Sequence, residues 1–304
     1  AMPAVIPTKA FSNSQFVFHG QFSRAMTHSL SEGENALVGI TAGIADITCI
    51  QWAYYLKNAR QQRLPLTFNP RILYRGYLAN CANVAAGTSF QFATAGALNK
   101  LVLRGAQREL TDVEKVGTGF VAGFASGVVA APAELVMTQQ QLKGGSVLQN
   151  VTNLLPAGPS TAFRGFFPTC IREGLFTAAY LGVAPVLRTH LSAAFPGTNE
   201  ELHRVLAATA GAACSGILSH PFDTAKTCMQ GDIERKTYGS FLQTCKEIYG
   251  SGGYSSFYRG LEFRFLRQVW QVWVLDLLRV KLSPLLFPYR FKADANLSLE
   301  LAVA

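Results

Sequence analysis

Apolar stretches alternate with short polar segments along most of this chain and predict a series of long helices. Six stretches are long enough to cross a hydrocarbon core, which takes about 20 helical residues at 1.5 Å per residue. They cover residues 37–56, 77–103, 116–137, 166–187, 205–228 and 263–282. The segments between them are polar and contain Pro or Gly, as expected of loops. The pattern therefore predicts an all-α membrane protein with six transmembrane helices.

The chain also contains an internal repeat. An aromatic–Arg–Gly tripeptide occurs three times at a spacing of roughly 90 residues, and such a fixed period marks a repeated structural unit. The copies are Tyr74-Arg75-Gly76, Phe163-Arg164-Gly165 and Tyr258-Arg259-Gly260. Each copy separates two apolar stretches, so we predict three two-helix repeats. Their predicted bounds are 33–106, 107–195 and 196–284, with an N-terminal arm at 1–32 and a C-terminal tail at 285–304.

The first helix of each repeat is rich in small residues. Gly119, Ala122 and Gly123 stand at close spacing in the second repeat, and Gly39, Ala42 and Gly43 form the same pattern in the first. Small residues allow helix backbones to approach closely in a lipid environment. We therefore expect tight packing along these helices.

Two of these first helices end in a proline signature. The third repeat carries Pro221, Asp223, Lys226 and a trailing Gln230, and the second carries Pro132, Glu134, Met137 and Gln141. The signature resembles the P-x-(D/E)-x-x-(K/R) motif of the mitochondrial carrier family, and the resemblance covers residues 37–282. It implies six transmembrane helices in three pseudo-threefold repeats with short matrix helices. It further implies that the prolines kink their helices, and that the acid of each repeat pairs with the base of the next to close a matrix gate, braced by the glutamines.

The first repeat departs from the family signature. One alignment places Trp52, Tyr54, Lys57 and Gln61 at the proline, acid, base and glutamine positions, and a one-residue shift gives Gln51, Ala53 and Leu56 instead. We prefer the first alignment because the family ring sets Met137 against Tyr54, so that neither partner leaves a stranded buried charge. The resemblance then implies two remaining bridges, Glu134 with Lys226 and Asp223 with Lys57.

The resemblance also indicates the substrate-contact level, seven residues past each tripeptide glycine. The residues there are Asn83, Arg172 with the neighbouring Glu173, and Arg267. An Arg–acid pair at this level resembles carriers of amino acids and related zwitterions, because Arg binds a carboxylate bidentately while the acid receives an ammonium group. A local Arg172–Glu173 contact at the surface, or an Arg that reaches lipid headgroups, is the alternative interpretation.

In the family, a second gate on the cytoplasmic side uses acids near the end of the second helix of each repeat. All three corresponding positions lack an acid here. Two functions from different classes therefore stand open. One is a mitochondrial inner-membrane carrier that moves small metabolites by alternating access. The other is a carrier fold with lost or reduced transport that serves as a structural subunit of a large inner-membrane complex. A proton or fatty-acid leak is a third interpretation.

Composition narrows the set of partners. The net charge is +9, only 15% of residues are charged, and the mean hydropathy is +0.18. Basic residues at helix ends suit anionic headgroups, so we expect membrane lipids (cardiolipin among the candidates), a small-molecule substrate and other inner-membrane proteins as partners, but no nucleic acid. The cysteine and histidine spacing favours neither disulfides nor a metal site, and we expect no cofactor and no enzymatic activity. The N-terminal residues resemble a transit peptide in composition.

Overall fold

The computed structural model describes residues 32–106 and 108–289, and these residues form helices and connecting loops without a strand. In chain order the helices are α1 (Glu32–Gln61), α2 (Pro70–Leu73), α3 (Tyr77–Leu103), α4 (Asp112–Lys143), α5 (Val147–Leu154), α6 (Pro159–Ala162), α7 (Phe166–Ala178), α8 (Ala184–Ala194), α9 (Glu200–Gly231), α10 (Phe241–Gly250) and α11 (Leu261–Leu286). A π-helical turn at Ala179–Val183 joins α7 to α8, so that the two form one long element. The predicted all-α class is confirmed, and α3 has the bounds that the apolar pattern predicted.

The six long elements pack side by side in a closed ring. Helix α1 contacts α3, α3 contacts α4, α4 contacts α7, the α7–α8 element contacts α9, α9 contacts α11, and α11 returns to α1. Within the part of the chain that the structure describes, three elements are long and apolar enough by themselves to cross a membrane: Asp112–Lys143, Pro159–Ala194 and Leu202–Gly231. The short helices α2, α5, α6 and α10 lie in the connections that precede the tripeptides.

Small residues bring α4 and α7 together, as the sequence pattern predicted. A Cβ atom on Gly119 would lie 3.2 Å from the Cα atom of Ala178, and one on Gly127 would lie 3.0 Å from the Cα atom of Cys170. A Cβ atom on Gly123 would overlap the carbonyl oxygen of Glu173. The two backbones are therefore in contact over about two helical turns.

The third residue of each tripeptide directly precedes the second transmembrane helix of its repeat. Gly76, Gly165 and Gly260 lie directly before α3, α7 and α11, with φ of +81°, +74° and +82°. Residues with a Cβ atom seldom adopt this left-handed conformation. The repeated glycine is thus required by the turn that reverses the chain.

Helices α4 and α9 each continue past the signature proline without a break, at Pro132 and Pro221. The predicted kinks stay predictions. The predicted N-terminal arm apart from its last residue, and residues 290–304 of the predicted tail, lie outside the described residues.

Candidate functional site

Two buried ion pairs join the C-terminal parts of α1, α4 and α9, which are the first transmembrane helices of the three repeats. Lys57 Nζ on α1 lies 2.5 Å from Asp223 Oδ2 on α9, and Lys226 Nζ on α9 lies 3.2 Å from Glu134 Oε2 on α4. All four residues are buried, and Asp223 is only 1% exposed. Because hydrogen bonds between charged groups are stronger than those between neutral ones, each pair ties its two helices together. The structure therefore contains both pairs that the family resemblance implied.

The glycine turns favour one alignment of the first repeat. A Cβ atom on Gly76 would lie 2.9 Å from Met137 Cγ, one on Gly165 would lie 3.4 Å from Lys226 Cγ, and one on Gly260 would lie 2.9 Å from the Lys57 carbonyl oxygen. Each glycine turn thus packs against the residue at the base position of the proline signature in the following repeat. Lys57 occupies that position in the first repeat, so the structure supports the alignment with Lys57 over the one with Leu56.

The three brace glutamines make different contacts. Gln61 Nε2 donates to Asp223 Oδ2 at 2.9 Å and thereby supports the Lys57–Asp223 pair directly. Gln230 Nε2 donates instead to the carbonyl oxygens of Ala131 and Arg164. The Gln141 side chain accepts a hydrogen bond of 2.6 Å from Asn58 Nδ2. This amide contact joins α1 to α4, the two helices between which the third ion pair is missing.

Tyr54 takes the place of the missing acid, but it faces the cavity. Its hydroxyl oxygen accepts a hydrogen bond of 3.0 Å from Arg267 Nη1, and the Arg267 guanidinium lies 4.7 Å from the centre of the Tyr54 ring. A cation above an aromatic face is a stabilising arrangement. Arg267 also donates to Gln271 Oε1 at 3.1 Å. No carboxylate lies within 4.0 Å of Arg267 among the described residues.

Arg172 belongs to both the gate and the cavity, which the sequence did not indicate. Its Nη2 donates to Glu134 Oε1 at 2.6 Å and also to Glu173, while its Nε lies 3.6 Å from Asp223 Oδ1. Glu173 in turn accepts a hydrogen bond of 2.9 Å from Gln91 Nε2. The local Arg172–Glu173 contact, considered as an alternative, is therefore present, but it lies in the interior rather than at the surface.

All four predicted substrate-contact residues line one cavity. The space between the side chains amounts to about 740 Å³ when the part open to solvent is included. Its lining residues are Tyr54, Asn80, Asn83, Val84, Gly87, Thr88, Gln91, Ala130, Glu134, Arg172, Glu173, Phe176, Tyr180, Arg264, Arg267 and Gln271. Asn83 Oδ1 is buried without a hydrogen-bond partner among the described residues. A cavity lined by convergent polar and charged groups suits a small polar solute.

Sequence reasoning missed two buried charges near this cavity. Arg264 is 3% exposed and lies 3.4 Å from Asp223 Oδ2, which makes it a further base at the gate. It stands one helical turn before Arg267, so the spacing of three residues on one helix face was an available signal. Asp46 on α1 is 3% exposed and has an oxygen without a hydrogen-bond partner among the described residues.

The tripeptide arginine of the second repeat caps the end of α9. Arg164 Nε donates to the carbonyl oxygens of Met229 at 2.7 Å and Asp232 at 2.9 Å, and Nη2 donates to Tyr238. Partial burial alone would raise the pKa of Asp232, but backbone N–H groups, that of Tyr238 first, donate to its carboxylate and hold its pKa below the usual range. His220 Nε2 lies 3.0 Å from the Arg259 carbonyl oxygen, a local hydrogen bond at the corresponding turn of the third repeat.

Comparison with known proteins gives concordant matches. A family model described as mitochondrial carrier protein matches residues 108–194 and 198–278, together more than half of the chain. A mitochondrial carnitine carrier of Saccharomyces cerevisiae is 28% identical over 174 residues, which are 54% of this chain and 52% of that protein. A mitochondrial glycine transporter of Laccaria bicolor is 29% identical over 161 residues, 51% of this chain and 49% of that protein. The chain thus spans about half the length of these two relatives.

A third match extends further along the chain. A mitochondrial carnitine/acylcarnitine carrier-like protein of Arabidopsis thaliana is 26% identical over 219 residues, 65% of this chain and 73% of that protein. The names of these relatives refer to different solutes, so the matches agree on the class of protein and differ in what is carried.

Proposed function

Because this chain belongs to the mitochondrial carrier family, whose fold has six transmembrane helices, we propose that it moves a small metabolite across the mitochondrial inner membrane by alternating access. The observation that carries this proposal is the charged cavity, one of whose lining residues, Glu134, belongs to the ion-pair network of Lys57, Glu134, Asp223 and Lys226. Ionisable residues at membrane depth are costly and mark a solute pathway. Opening these pairs would connect the cavity to the far side.

The Lys57–Asp223 and Glu134–Lys226 pairs act in this proposal as the matrix gate. Gln61 braces the first pair, and Gln141 and Gln230 tie neighbouring helices at the same level. The three glycine turns support a division into three carrier repeats at 33–106, 107–195 and 196–284. Membrane lipids surround this fold throughout the family, and cardiolipin is one candidate among them.

For the substrate we propose an amino acid or a related zwitterion. Arg172 already binds Glu134 and Glu173, whereas among the described residues the hydrogen-bond partners of Arg267 are the neutral Tyr54 and Gln271. Arg267 is therefore the guanidinium that can receive a substrate carboxylate bidentately without giving up an ion pair. The Arg172–Glu173 pair, with Asn83 beside it, provides the second recognition point for an ammonium group.

Uptake into liposomes by the purified protein tests this proposal. The probes are radiolabelled glycine, glutamate, 2-oxoglutarate and carnitine, each against its own unlabelled counter-substrate. We expect exchange of at least one probe, its loss in Arg267→Gln and its retention in Arg71→Gln, which removes an exposed arginine on α2. Absence of all exchange, beside a working control carrier, contradicts transport.

A structural subunit is the second candidate, and one observation favours it. The positions that carry acids of the opposite gate in the family fall on Gly96 in α3, Pro185 in α8 and Val280 in α11. None of these can form an ion pair. Native electrophoresis in mild detergent distinguishes the two candidates: migration only as a 32.9 kDa species excludes a stable assembly.

A further inference from the structure

The carboxylate of Glu173 is held on both of its oxygens. Arg172 Nη2 donates to Oε1, and Gln91 Nε2 on α3 donates to Oε2 at 2.9 Å. Gln91 is 7% exposed, and both Gln91 and Glu173 line the cavity. Neither the tripeptide repeat nor the proline signature singles out Gln91. Its contact with Glu173 joins α3 to α7 inside the ring of helices.

Hydrogen bonds on each of its polar groups fix the orientation of the Gln91 amide. Oε1 accepts from the Tyr180 hydroxyl at 2.8 Å, and Nε2 donates to Ser126 Oγ at 3.0 Å as well as to Glu173. The Ser126 hydroxyl donates to the Gly123 carbonyl oxygen at 2.7 Å and therefore meets Gln91 as an acceptor. An amide side chain has two N–H groups and one carbonyl oxygen, and all three are used here. A flipped amide would set two oxygens against each other, with no hydrogen between them.

Tyr180 is itself held in place. It lies in the π-helical turn at Ala179–Val183, and its ring meets the ring of Phe176 edge-on with the centroids 5.2 Å apart. Edge-to-face ring pairs at such distances are stabilising, and π-helical turns are frequent at functional sites. The Tyr180 hydroxyl is thus presented to Gln91 by a fixed ring.

The partners on the Gln91 side are neutral, so they fix the Glu173 carboxylate without neutralising it. Arg172, the basic partner of Glu173, also donates to Glu134 at 2.6 Å and lies 3.6 Å from Asp223. One positive charge is thereby shared among three acids. No other base lies within 4.0 Å of the Glu173 carboxylate among the described residues. The charge of Glu173 is therefore only partly compensated.

We propose that Gln91, oriented by Tyr180, is a positioning residue that turns the Glu173 carboxylate toward the ammonium group of the substrate. Gln91 does not bind the substrate itself. It acts through Glu173, and so it contributes to the recognition of an ammonium group that carries N–H donors but not to that of a carboxylate. This inference rests on the proposed function and deepens it, because it assigns the discrimination between an amino acid and the corresponding keto acid to one hydrogen-bonded chain.

Exchange of glutamate and of 2-oxoglutarate by the full chain in liposomes tests the proposal. The two probes share both carboxylates, and the ammonium group of the first is a keto oxygen in the second. In Gln91→Leu, we expect the KM for glutamate, and likewise for glycine, to rise about tenfold or more, on the scale of one lost hydrogen bond to a charged group. The KM for 2-oxoglutarate and the kcat for each probe should stay unchanged. Tyr180→Phe should give a smaller rise of the same kind, and Ser89→Ala, at an exposed position of α3, should give none.

Each other outcome of the exchange assay is decisive. A Gln91→Leu protein whose KM rises equally for both probes, or whose kcat alone falls, has lost a structural contact and overturns the proposal. Exchange of only 2-oxoglutarate or carnitine by the wild type also overturns it, since neither carries an ammonium N–H. Absence of exchange with all the probes contradicts the proposed function instead.

A double-mutant cycle in the purified protein tests the contact without any substrate. Gln91→Leu and Glu173→Gln should each lower the melting temperature, and the double substitution should lower it by less than the sum, because each change removes the same hydrogen bond. Additive shifts overturn the proposal. Tyr180→Phe, which removes a single hydroxyl, replaces Gln91→Leu in both measurements if that variant does not fold. The cycle decides whether Gln91 holds Glu173 even where no probe is exchanged.

Discussion

Removing the acid of the Lys57–Asp223 pair should cost far more stability than removing the base. Asp223 has four bases around it: Lys57 at 2.5 Å, Arg264 at 3.4 Å, Arg172 at 3.6 Å and Lys226 at 3.7 Å. Lys57 and Arg264, in contrast, have no other acid within 4.0 Å among the described residues. Asp223→Asn therefore strands two buried cations, whereas Lys57→Met leaves the acid well compensated.

The expected magnitudes follow from this asymmetry. Breaking a buried ion pair by removing one partner costs about 3–5 kcal/mol, and Asp223→Asn should reach the upper part of that range. Lys57→Met loses one hydrogen bond to a charged group, which costs about 1.5–3 kcal/mol. Adding Lys57→Met to Asp223→Asn removes one stranded cation and should recover part of the loss. Tyr54 and Met137 stand at the acid and base positions of the third pair. The fold therefore tolerates a gate pair in which both charges are absent.

Thermal unfolding in detergent, followed with a thiol-reactive fluorophore, measures these differences. Cys170 and Cys228 are 0% and 2% exposed, so their labelling reports unfolding. Glu262→Gln is the matched control, since it breaks an exposed pair with Arg60 at 3.5 Å and should change stability by only about 0–1 kcal/mol. An Asp223→Asn protein that is as stable as Lys57→Met would refute the reasoning.

Three further predictions use the same unfolding assay. Gly76→Ala should destabilise the protein by at least about 1–2 kcal/mol, because a residue with a Cβ atom is strained in the left-handed conformation. Gly117→Ala, at an open position inside α4, should be neutral or stabilising. Equal effects of the two substitutions would contradict the role of the turn. Arg164→Lys should lower the melting temperature clearly, because a lysine cannot reproduce a guanidinium fork on several carbonyl oxygens; a melting temperature equal to that of the wild type would contradict it. The pKa of Asp232 is depressed in the folded state. The stability advantage of the wild type over Asp232→Asn should therefore be full above the unfolded pKa of 3.8 and should disappear as the pH falls through the folded pKa. An advantage that persists at still lower pH would contradict the assignment.

The sequence predicted the elements and the pairing of the gate better than the geometry of the cavity. Apolar length and the repeated tripeptide suffice for helices and their order, because both are properties of the chain itself. The bounds of α3 agree with the prediction, while α1 extends five residues at each end beyond the predicted apolar core of 37–56. Polar residues at these ends continue the helix without contributing to the apolar pattern.

Relations between helices could not be predicted in the same way. The rotation of α7 that brings Arg172 onto Glu134, and the approach of α11 that sets Arg267 over Tyr54, depend on how six helices pack together. A family motif assigns one role to one position and therefore separated Arg172 from the gate. Asp46 was overlooked because no motif includes it, although a lone acid in an apolar stretch was visible in the sequence.

The three glycine turns have a mechanical consequence. Each turn places the start of the second helix of one repeat against the residue at the base position of the following repeat. These residues are Met137, Lys226 and Lys57 in turn. These joints link the repeats head to tail around the ring, and the last leads back to the first. We therefore expect a tilt of one repeat to move the contact that it shares with the next, so that the three repeats move together.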